Sequence, residues 1–206
     1  MFFLRQLVQK PWVTVEGGAP DLHGGAEFAL PPAKVGLWVF CAVITALFSL
    51  TIMAYVMRMT LGDWRPLPEP GLLWLNTAIL VLSSVALQWA RVNARRELID
   101  KVRIGLFAGG VFAVAFLAGQ LLAWQQLVAL GYFSAANPAN AFFYLFTGLH
   151  GLHLFGGLVA LGRTTAKVRK DDPEMAQVRL SVGLCAAYWH FLLVVWLVIF
   201  GLLLLT

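Results

Sequence analysis

Charge is scarce in this sequence. Of its 206 residues only 12% are charged, whereas 60% are hydrophobic. A soluble domain is about half apolar and about one quarter charged. The deficit excludes a water-soluble globule, a disordered tail and a nucleic-acid-binding domain, so the net charge of +5 is not evidence of DNA binding. The composition predicts an integral membrane protein with almost no soluble domain.

Cysteine is also rare. The two thiols, Cys41 and Cys185, each lie inside an apolar run. Two such residues exclude a disulfide framework and a zinc knuckle. Their positions put them at similar depths, which leaves a contact between them open. The favoured interpretation is that both are buried and behave as small hydrophobic side chains.

Long apolar runs occur five times. A bilayer core about 30 Å thick is crossed by roughly 20 helical residues, and no run alternates with the two-residue period of a membrane barrel. Prolines fall between the runs, where they do not interrupt a helix. We predict an all-α fold, a bundle of five transmembrane helices at about 34–58, 71–90, 104–125, 140–162 and 180–205. Residues 1–33 are predicted to be an N-terminal cytoplasmic tail or interfacial segment, and residues 34–206 the membrane domain.

Lysine and arginine are divided unevenly between the two sides of this bundle. Thirteen of the 15 lie on one side: before or at the start of the first run, in the second connection and in the fourth connection. The other two lie in the first connection, on the opposite side. Basic residues collect in cytoplasmic loops. The N-terminus is therefore predicted to be cytoplasmic and the C-terminus outside.

Acidic residues are absent from the five runs, because all ten lie in the tail or in loops. A proton relay or a cation transporter normally needs a carboxylate at membrane depth. No inverted pair of broken helices, as found in many transporters, is evident either. A pump or a small-solute transporter formed by this chain alone is therefore disfavoured.

Three histidines do lie at membrane depth. His150 and His153 share one face of the fourth helix, and His190 lies on the fifth. One interpretation is a haem or metal site, as in a small membrane cytochrome b. The favoured one is neutral imidazoles that form hydrogen bonds between helices, with no metal site in this chain.

Small residues indicate where helices touch. Gly105, Gly109 and Ala113 repeat every fourth residue on the third helix, and Gly156 and Gly157 lie near the histidines of the fourth. Such faces let helix backbones approach closely. Spacing does not decide whether four tryptophans face the core or the lipid: Trp38, Trp89, Trp189 and Trp196.

The basic clusters permit two interpretations. Basic side chains near the membrane surface attract anionic headgroups, and on this basis we predict lipid-headgroup contacts for Arg95, Arg96, Arg103 and Arg163. The alternative, at least as favoured, is that the charges only set the topology.

Three stretches together resemble one protein family. FYLFTGLHGLHLFGG (143–157) is similar to its Thr-Gly-x-His-Gly-x-His helix and contains Thr147, Gly148, His150, Gly151 and His153. AAYWHFLLVVWLVIF (186–200) is similar to its Tyr-Trp-His-Phe segment through Tyr188, Trp189 and His190, and LLWLNTAILVLSS (72–84) to its Leu-Asn-Thr signature through Asn76. The chain thus resembles subunit III of the haem-copper cytochrome c oxidases, in the short five-helix bacterial form.

The resemblance implies an accessory role in aerobic respiration. Subunit III carries no haem or copper, which belong to partner subunits, and it would pack against the catalytic subunit I beside other oxidase subunits. It would bind phospholipid, support proton uptake, and lie in the bacterial inner membrane, with a respiratory supercomplex possible. Five-helix relatives also serve quinol oxidases, although the Leu-Asn-Thr stretch and GQLLAW (119–124) look more like the cytochrome c branch.

Two departures from the family pattern concern acids. Many relatives carry an acid where this chain has Ile44, and an Asp where it has Leu193, one helical turn after His190. A proton-handling role through those two positions is therefore not carried over. The histidines and packing glycines carry over as structural contacts.

Overall fold

The structure is a computed structural model that describes residues 31–61, 64, 71–133, 137–169 and 174–205. Five helices cover most of them: α1 (Pro32–Met59), α2 (Leu72–Arg95), α3 (Ile99–Ala129), α4 (Pro138–Val168) and α5 (Met175–Leu204). All five are long and apolar enough to cross a membrane, and the described ranges contain no strand. The predicted all-α fold with five membrane-spanning helices is confirmed. The predicted segment 1–33 lies outside the described residues except for its last three positions.

The helices are longer than the apolar runs, chiefly at the ends rich in arginine and lysine. There α2 continues to Arg95, α3 begins at Ile99, α4 continues to Val168 and α5 begins at Met175. The predicted boundaries at these ends were short by about five residues. Charged and polar residues interrupt an apolar run but have adequate helix propensity, so each helix continues past the point where its apolar run stops.

Local signals set several helix ends. Pro138 occupies the first turn of α4, and the side chain of Asn137 accepts a hydrogen bond from the amide of Ala139 at 3.3 Å, which is a favourable N-cap. At the end of α3, Gly131 has a φ of +85°. The amide of Tyr132 then reaches the Leu127 carbonyl at 2.9 Å. This left-handed cap suits glycine because no Cβ opposes it.

Helices α2, α3, α4 and α5 form what we call the four-helix body. In it, α2 packs on α3 and α5, and α4 packs on the same two helices, with backbones closer than 8 Å between Cα atoms. The centre is fully buried and contains large side chains, including Leu80, Leu87, Phe116, Trp189 and Trp196. By contrast Trp38 and Trp89 are 67% and 43% exposed, which settles the orientation that spacing left open.

Glycines permit the close approaches within this body. A Cβ at Gly105 would lie 2.8 Å from Ala90 Cβ, and one at Gly109 would lie 2.8 Å from Leu87 Cγ. On α4 the tight position is Gly157, where a Cβ would lie 2.9 Å from both the Trp189 and Tyr188 rings. A Cβ at Gly156 would meet nothing within 4 Å. Of the two neighbouring glycines predicted to pack, only Gly157 points at α5 and makes a close approach.

Helix α1 is positioned differently. Among the described helices, none has a Cα within 8 Å of a Cα of α1. Its buried side chains, Cys41, Ile44, Phe48 and Tyr55, repeat every three, four or seven residues along one face. The helix is thus held by long side chains and not by backbone contact, which leaves space beside it.

Candidate functional site

His150 lies at the centre of the four-helix body. Its side chain is fully buried between the rings of Phe116 on α3 and Trp196 on α5, with ring centroids 5.7 and 5.1 Å away. Neither ring nitrogen has a hydrogen-bond partner among the described residues. The imidazole thus fills the contact between three helices as an aromatic side chain would.

His153 lies one turn away and faces α1. Its Nδ1 donates to the Leu149 carbonyl at 2.7 Å, and its ring is 5.8 Å from that of Phe48 and 6.4 Å from that of Phe40. Ile44 lies midway between these two phenylalanines on α1, and on the same face because each is four residues away. An acid at position 44 would therefore face His153. Here the position is apolar and only 1% exposed.

His190 links α5 to α2. Its Nδ1 is hydrogen-bonded to the hydroxyl of Ser84, and its Nε2 lies 3.1 Å from Gln88 Oε1. An acid at position 193 would have been one turn along the same helix. In this chain both ring nitrogens of His190 instead have neutral polar partners on α2. The imidazole therefore has partners although position 193 is a leucine.

Two tryptophans connect the same pair of helices. Trp189 Nε1 donates to Ser83 Oγ at 2.9 Å, and that hydroxyl donates onward to the Gly109 carbonyl of α3 at 2.8 Å. Trp196 Nε1 donates to Thr77 Oγ1 at 2.9 Å. These bonds join α5, α2 and α3, and polar side chains of this kind hold membrane helices together.

The α3–α4 and α4–α5 contacts have similar bonds. Trp124 Nε1 donates to Thr147 Oγ1 at 3.0 Å, while Thr147 donates to the Phe143 carbonyl of its own helix. Tyr188 donates its hydroxyl to the His153 carbonyl at 3.1 Å. Thr147 and Tyr188, identified from family motifs, therefore both contact another helix.

Asn76 and its neighbours form a buried polar contact between α2 and α3. Asn76 Nδ2 donates to Gln120 Oε1 at 3.4 Å. A Cβ at Gly119 would overlap Asn76 Oδ1, so glycine at this position leaves room for the amide. By comparison Gly148 and Gly151 make ordinary contacts with Trp124 and Leu117 at 3.6 and 3.7 Å.

Several residues of this network were missed by sequence analysis. They are neutral side chains with a hydrogen-bonding group within apolar runs: Thr77, Ser83, Ser84, Gln88, Gln120 and Trp124. The available signal was that a neutral polar side chain is costly in lipid unless it has a partner. Only histidines and acids were considered as membrane-depth polar groups, so these were overlooked.

Among the described residues, cavities lie beside the helices, and three of them are lined by residues named above or close to them. One of about 800 Å³ lies between α1, α2 and α5 and includes His190 in its wall. Another of about 460 Å³ lies between α1, α4 and α5 and includes His153. A groove of about 750 Å³ lies between α3 and α4. His150 lines none of the three, so no two histidines face a common space in these cavities.

The residues that could bind a metal do not converge. Among the described residues, no group of three or more His, Cys, Asp or Glu side chains could hold a metal ion. Cys41 and Cys185 are both free and buried. Cys185 Sγ lies 3.2 Å from Thr164 Oγ1.

The predicted lipid-contacting arginines lie in three different environments. Arg95 lines the cavity between α1, α2 and α5. Arg103 donates two hydrogen bonds to the Val168 carbonyl, at 3.2 Å each, and so joins α3 to the end of α4. Arg96 and Arg163 are exposed and line none of the three cavities. Lys34, Arg91 and Arg179, which were not predicted to contact lipid, line the same cavity as Arg95.

Comparison of the chain with known proteins identifies the same family as the three sequence motifs. Residues 35–205 match the family model described as cytochrome c oxidase subunit III. The chain belongs to the cytochrome c oxidase subunit III family. The recognition made from the three motifs is confirmed, and the match includes all the histidine-bearing helices. The chain is a multi-pass membrane protein and a haem-copper oxidase subunit III, one part of an oxidase complex.

Individual relatives give the same result. A cytochrome c oxidase subunit 3 of Thermostichus vulcanus is 28% identical over 173 residues, which are 82% of this chain and 85% of that one. A probable cytochrome c oxidase subunit 3 of Nocardia farcinica is 35% identical over 147 residues, 68% and 70% of the two chains. A heme-copper oxidase subunit I+III of Aeropyrum pernix is 25% identical over 214 residues, covering 97% of this chain but only 26% of that protein.

Proposed function

We propose that this subunit III has no catalytic centre of its own, packs against the haem-copper subunit I, and binds phospholipid. The complex would reduce oxygen with electrons from cytochrome c in the bacterial plasma membrane. The haems and copper would belong to the partner subunits. This chain would stabilise the complex and keep lipid in place beside it.

One observation carries the non-catalytic role: each of the three membrane histidines has a separate structural environment. His150 is enclosed by aromatic rings, His153 donates to its own helix, and His190 is bonded to Ser84 and Gln88. A haem held by two axial histidines needs both to face one space. The arrangement instead favours imidazoles as contacts between helices.

Two observations support packing on subunit I. The Aeropyrum pernix relative is named as subunits I and III together. In addition, this chain exposes continuous apolar faces, such as Ile104, Phe107, Val111 and Val114 on α3. A neighbouring membrane subunit or lipid can cover such a face, since both are apolar.

The choice of cytochrome c as electron donor is supported by the relatives, which are named cytochrome c oxidase subunits. The alternative, a quinol oxidase, predicts a different substrate preference. The purified complex should oxidise reduced cytochrome c at its full oxygen-consuming rate. Oxidation of a quinol with no activity on cytochrome c would exclude this part of the proposal.

The central experiment is affinity purification of the tagged chain from membranes in mild detergent. We expect a haem-bearing large subunit to copurify, and the chain to be colourless after a harsher detergent separates it. A Soret band that stays with the separated chain and disappears in His150→Ala would instead indicate a membrane cytochrome b. Recovery of the intact chain without any haem-bearing partner would contradict the proposed assembly.

A further inference from the structure

The largest of the three cavities has a strongly asymmetric wall. It measures about 800 Å³ and lies between α1, α2 and α5. Four basic residues occupy one end: Lys34 on α1, Arg91 and Arg95 on α2, and Arg179 on α5. They converge because α1 and α5 begin at this end while α2 finishes there.

These positive charges are largely uncompensated. None of the residues lining the cavity is acidic. In the described part of the chain Arg179 pairs with Glu97, whereas Lys34, Arg91 and Arg95 form no ion pair. The N-terminal ends of α1 and α5 add positive dipole potential at the same place, and the single C-terminal end of α2 offsets only part of it. This end of the cavity therefore attracts an anion.

The rest of the wall is apolar apart from His190. Leu37, Leu184, Phe191 and Val194 continue the lining away from the basic end. From Arg179 to Val194 the wall follows α5 for about 22 Å at about 1.5 Å per residue. That length exceeds half of a bilayer core about 30 Å thick, so the cavity can hold an acyl chain of one leaflet.

We propose that this cavity binds an anionic phospholipid, with its phosphate among Lys34, Arg91 and Arg95 and an acyl chain along α5 towards Val194. The proposal specifies the lipid site within the proposed function and rests on it. A zwitterionic lipid is bound more weakly, because the wall offers no carboxylate for its ammonium group. An anionic headgroup keeps its full attraction to the basic end.

The other two cavities lack this combination. The cavity between α1, α4 and α5 has no basic residue in its wall, and the groove between α3 and α4 has Arg169 alone. Of these three cavities, headgroup selectivity is therefore expected only at the one between α1, α2 and α5. This difference provides matched controls within the same chain.

The test uses the purified oxidase complex, delipidated and then titrated with phosphatidylglycerol or phosphatidylcholine, with bound lipid counted by native mass spectrometry. We expect the double variant Arg91→Gln, Arg95→Gln to weaken phosphatidylglycerol binding about 30-fold, since each basic group near the surface contributes about fivefold. The control Lys101→Gln, Lys167→Gln removes two exposed charges outside the cavity. It should bind phosphatidylglycerol as the unaltered complex does.

A second pair of variants tests the apolar part with every charge intact. A side chain at Gly183 projects into open space beside this cavity, and one at Gly162 into the α3–α4 groove. Gly183→Leu should lower the phosphatidylglycerol count by about one per complex, and Gly162→Leu should not. Glycerol 3-phosphate should fail to displace the lipid, because it has no acyl chain to occupy the apolar wall.

Equal affinity for both lipids, unchanged binding in the Arg91/Arg95 variant, or displacement by glycerol 3-phosphate would each overturn this assignment. If the proposed function were wrong, the chain would not copurify with a haem-bearing subunit. That result is distinct from a change in lipid binding by an assembled complex. Each complex is normalised to haem content, so a variant that assembles poorly still reports lipid per assembled complex.

Discussion

Helix α1 and the four-helix body are built by different means. In the body, glycines bring backbones within 8 Å of one another, and tryptophan and serine side chains connect the helices by hydrogen bonds. Helix α1 instead reaches α4 and α5 through rings, for example Phe40 against Tyr188 with centroids 5.9 Å apart. The wider spacing leaves the two cavities that adjoin α1.

The comparison shows how a membrane bundle can separate stability from binding. Without a hydrophobic driving force between helices in lipid, close backbone packing and hydrogen bonds supply the association energy. The four-helix body has both. Helix α1 has fewer close contacts, and the space that results is where an amphiphile can be held.

The largest expected effect comes from removing a close backbone approach. Gly119→Leu would place its side chain on Asn76, because a Cβ at position 119 already overlaps Asn76 Oδ1. Overpacking typically costs about 1–3 kcal/mol, sometimes more, and here it also breaks the Asn76–Gln120 contact. We expect loss of most assembled complex, measured as haem per milligram of membrane protein.

Gly156→Leu is the matched control beside α1, because a Cβ there meets nothing within 4 Å. It should assemble close to the normal level. Equal losses from the two substitutions would show that the body and the α1 side do not differ in packing as described.

A second prediction concerns the rings that hold α1. The double variant Phe40→Ala, Phe48→Ala should loosen α1 while the four-helix body stays assembled. Cys41, on α1, and Cys185, on α5, are 6% and 7% exposed and act as internal reporters. Labelling of Cys41 by a membrane-permeant maleimide should accelerate about tenfold, which corresponds to about 1.4 kcal/mol in the opening equilibrium.

Cys185 provides the control, because its rate should change little. Mass spectrometry of labelled peptides distinguishes the two thiols. Parallel acceleration at both cysteines would mean that the whole bundle opens together, and α1 would then not be a separately held helix.

The smallest effect is expected at His190. His190→Leu removes the bonds to Ser84 and Gln88 at the α2–α5 contact, and such intramembrane bonds average about 0.6 kcal/mol. We expect a modest decrease in assembled complex. The oxygen turnover per assembled complex should be unchanged.

His190→Asn, which keeps a polar side chain, should recover part of the assembly. A selective loss of turnover in a fully assembled His190→Leu complex would instead assign this histidine a role in proton handling.

Much of the fold followed from the sequence, because five apolar runs separated by prolines and charges admit few arrangements. The helix ends did not, since Arg95 and Met175 continue helices beyond their apolar parts. The family motifs identified Thr147, Tyr188 and Asn76, each of which bonds to another helix.

The convergence of residues distant in the sequence could not be predicted. Lys34, Arg91 and Arg179 come together only because α2 is antiparallel to α1 and α5 and adjacent to α5. Nor does a four-residue repeat reveal which glycine faces a partner, as Gly156 and Gly157 show. Both depend on the rotation of each helix about its axis, which packing decides.

An experimental density map of the assembled oxidase, prepared with its native lipid, tests the two-part architecture most directly. The account predicts that the backbone of α1 stays more than 8 Å from the other four helices, measured between Cα atoms. Elongated lipid density should extend from Arg91 and Arg95 along α5. A map in which α1 packs directly on α2 and α5, with the space between them closed, would contradict it.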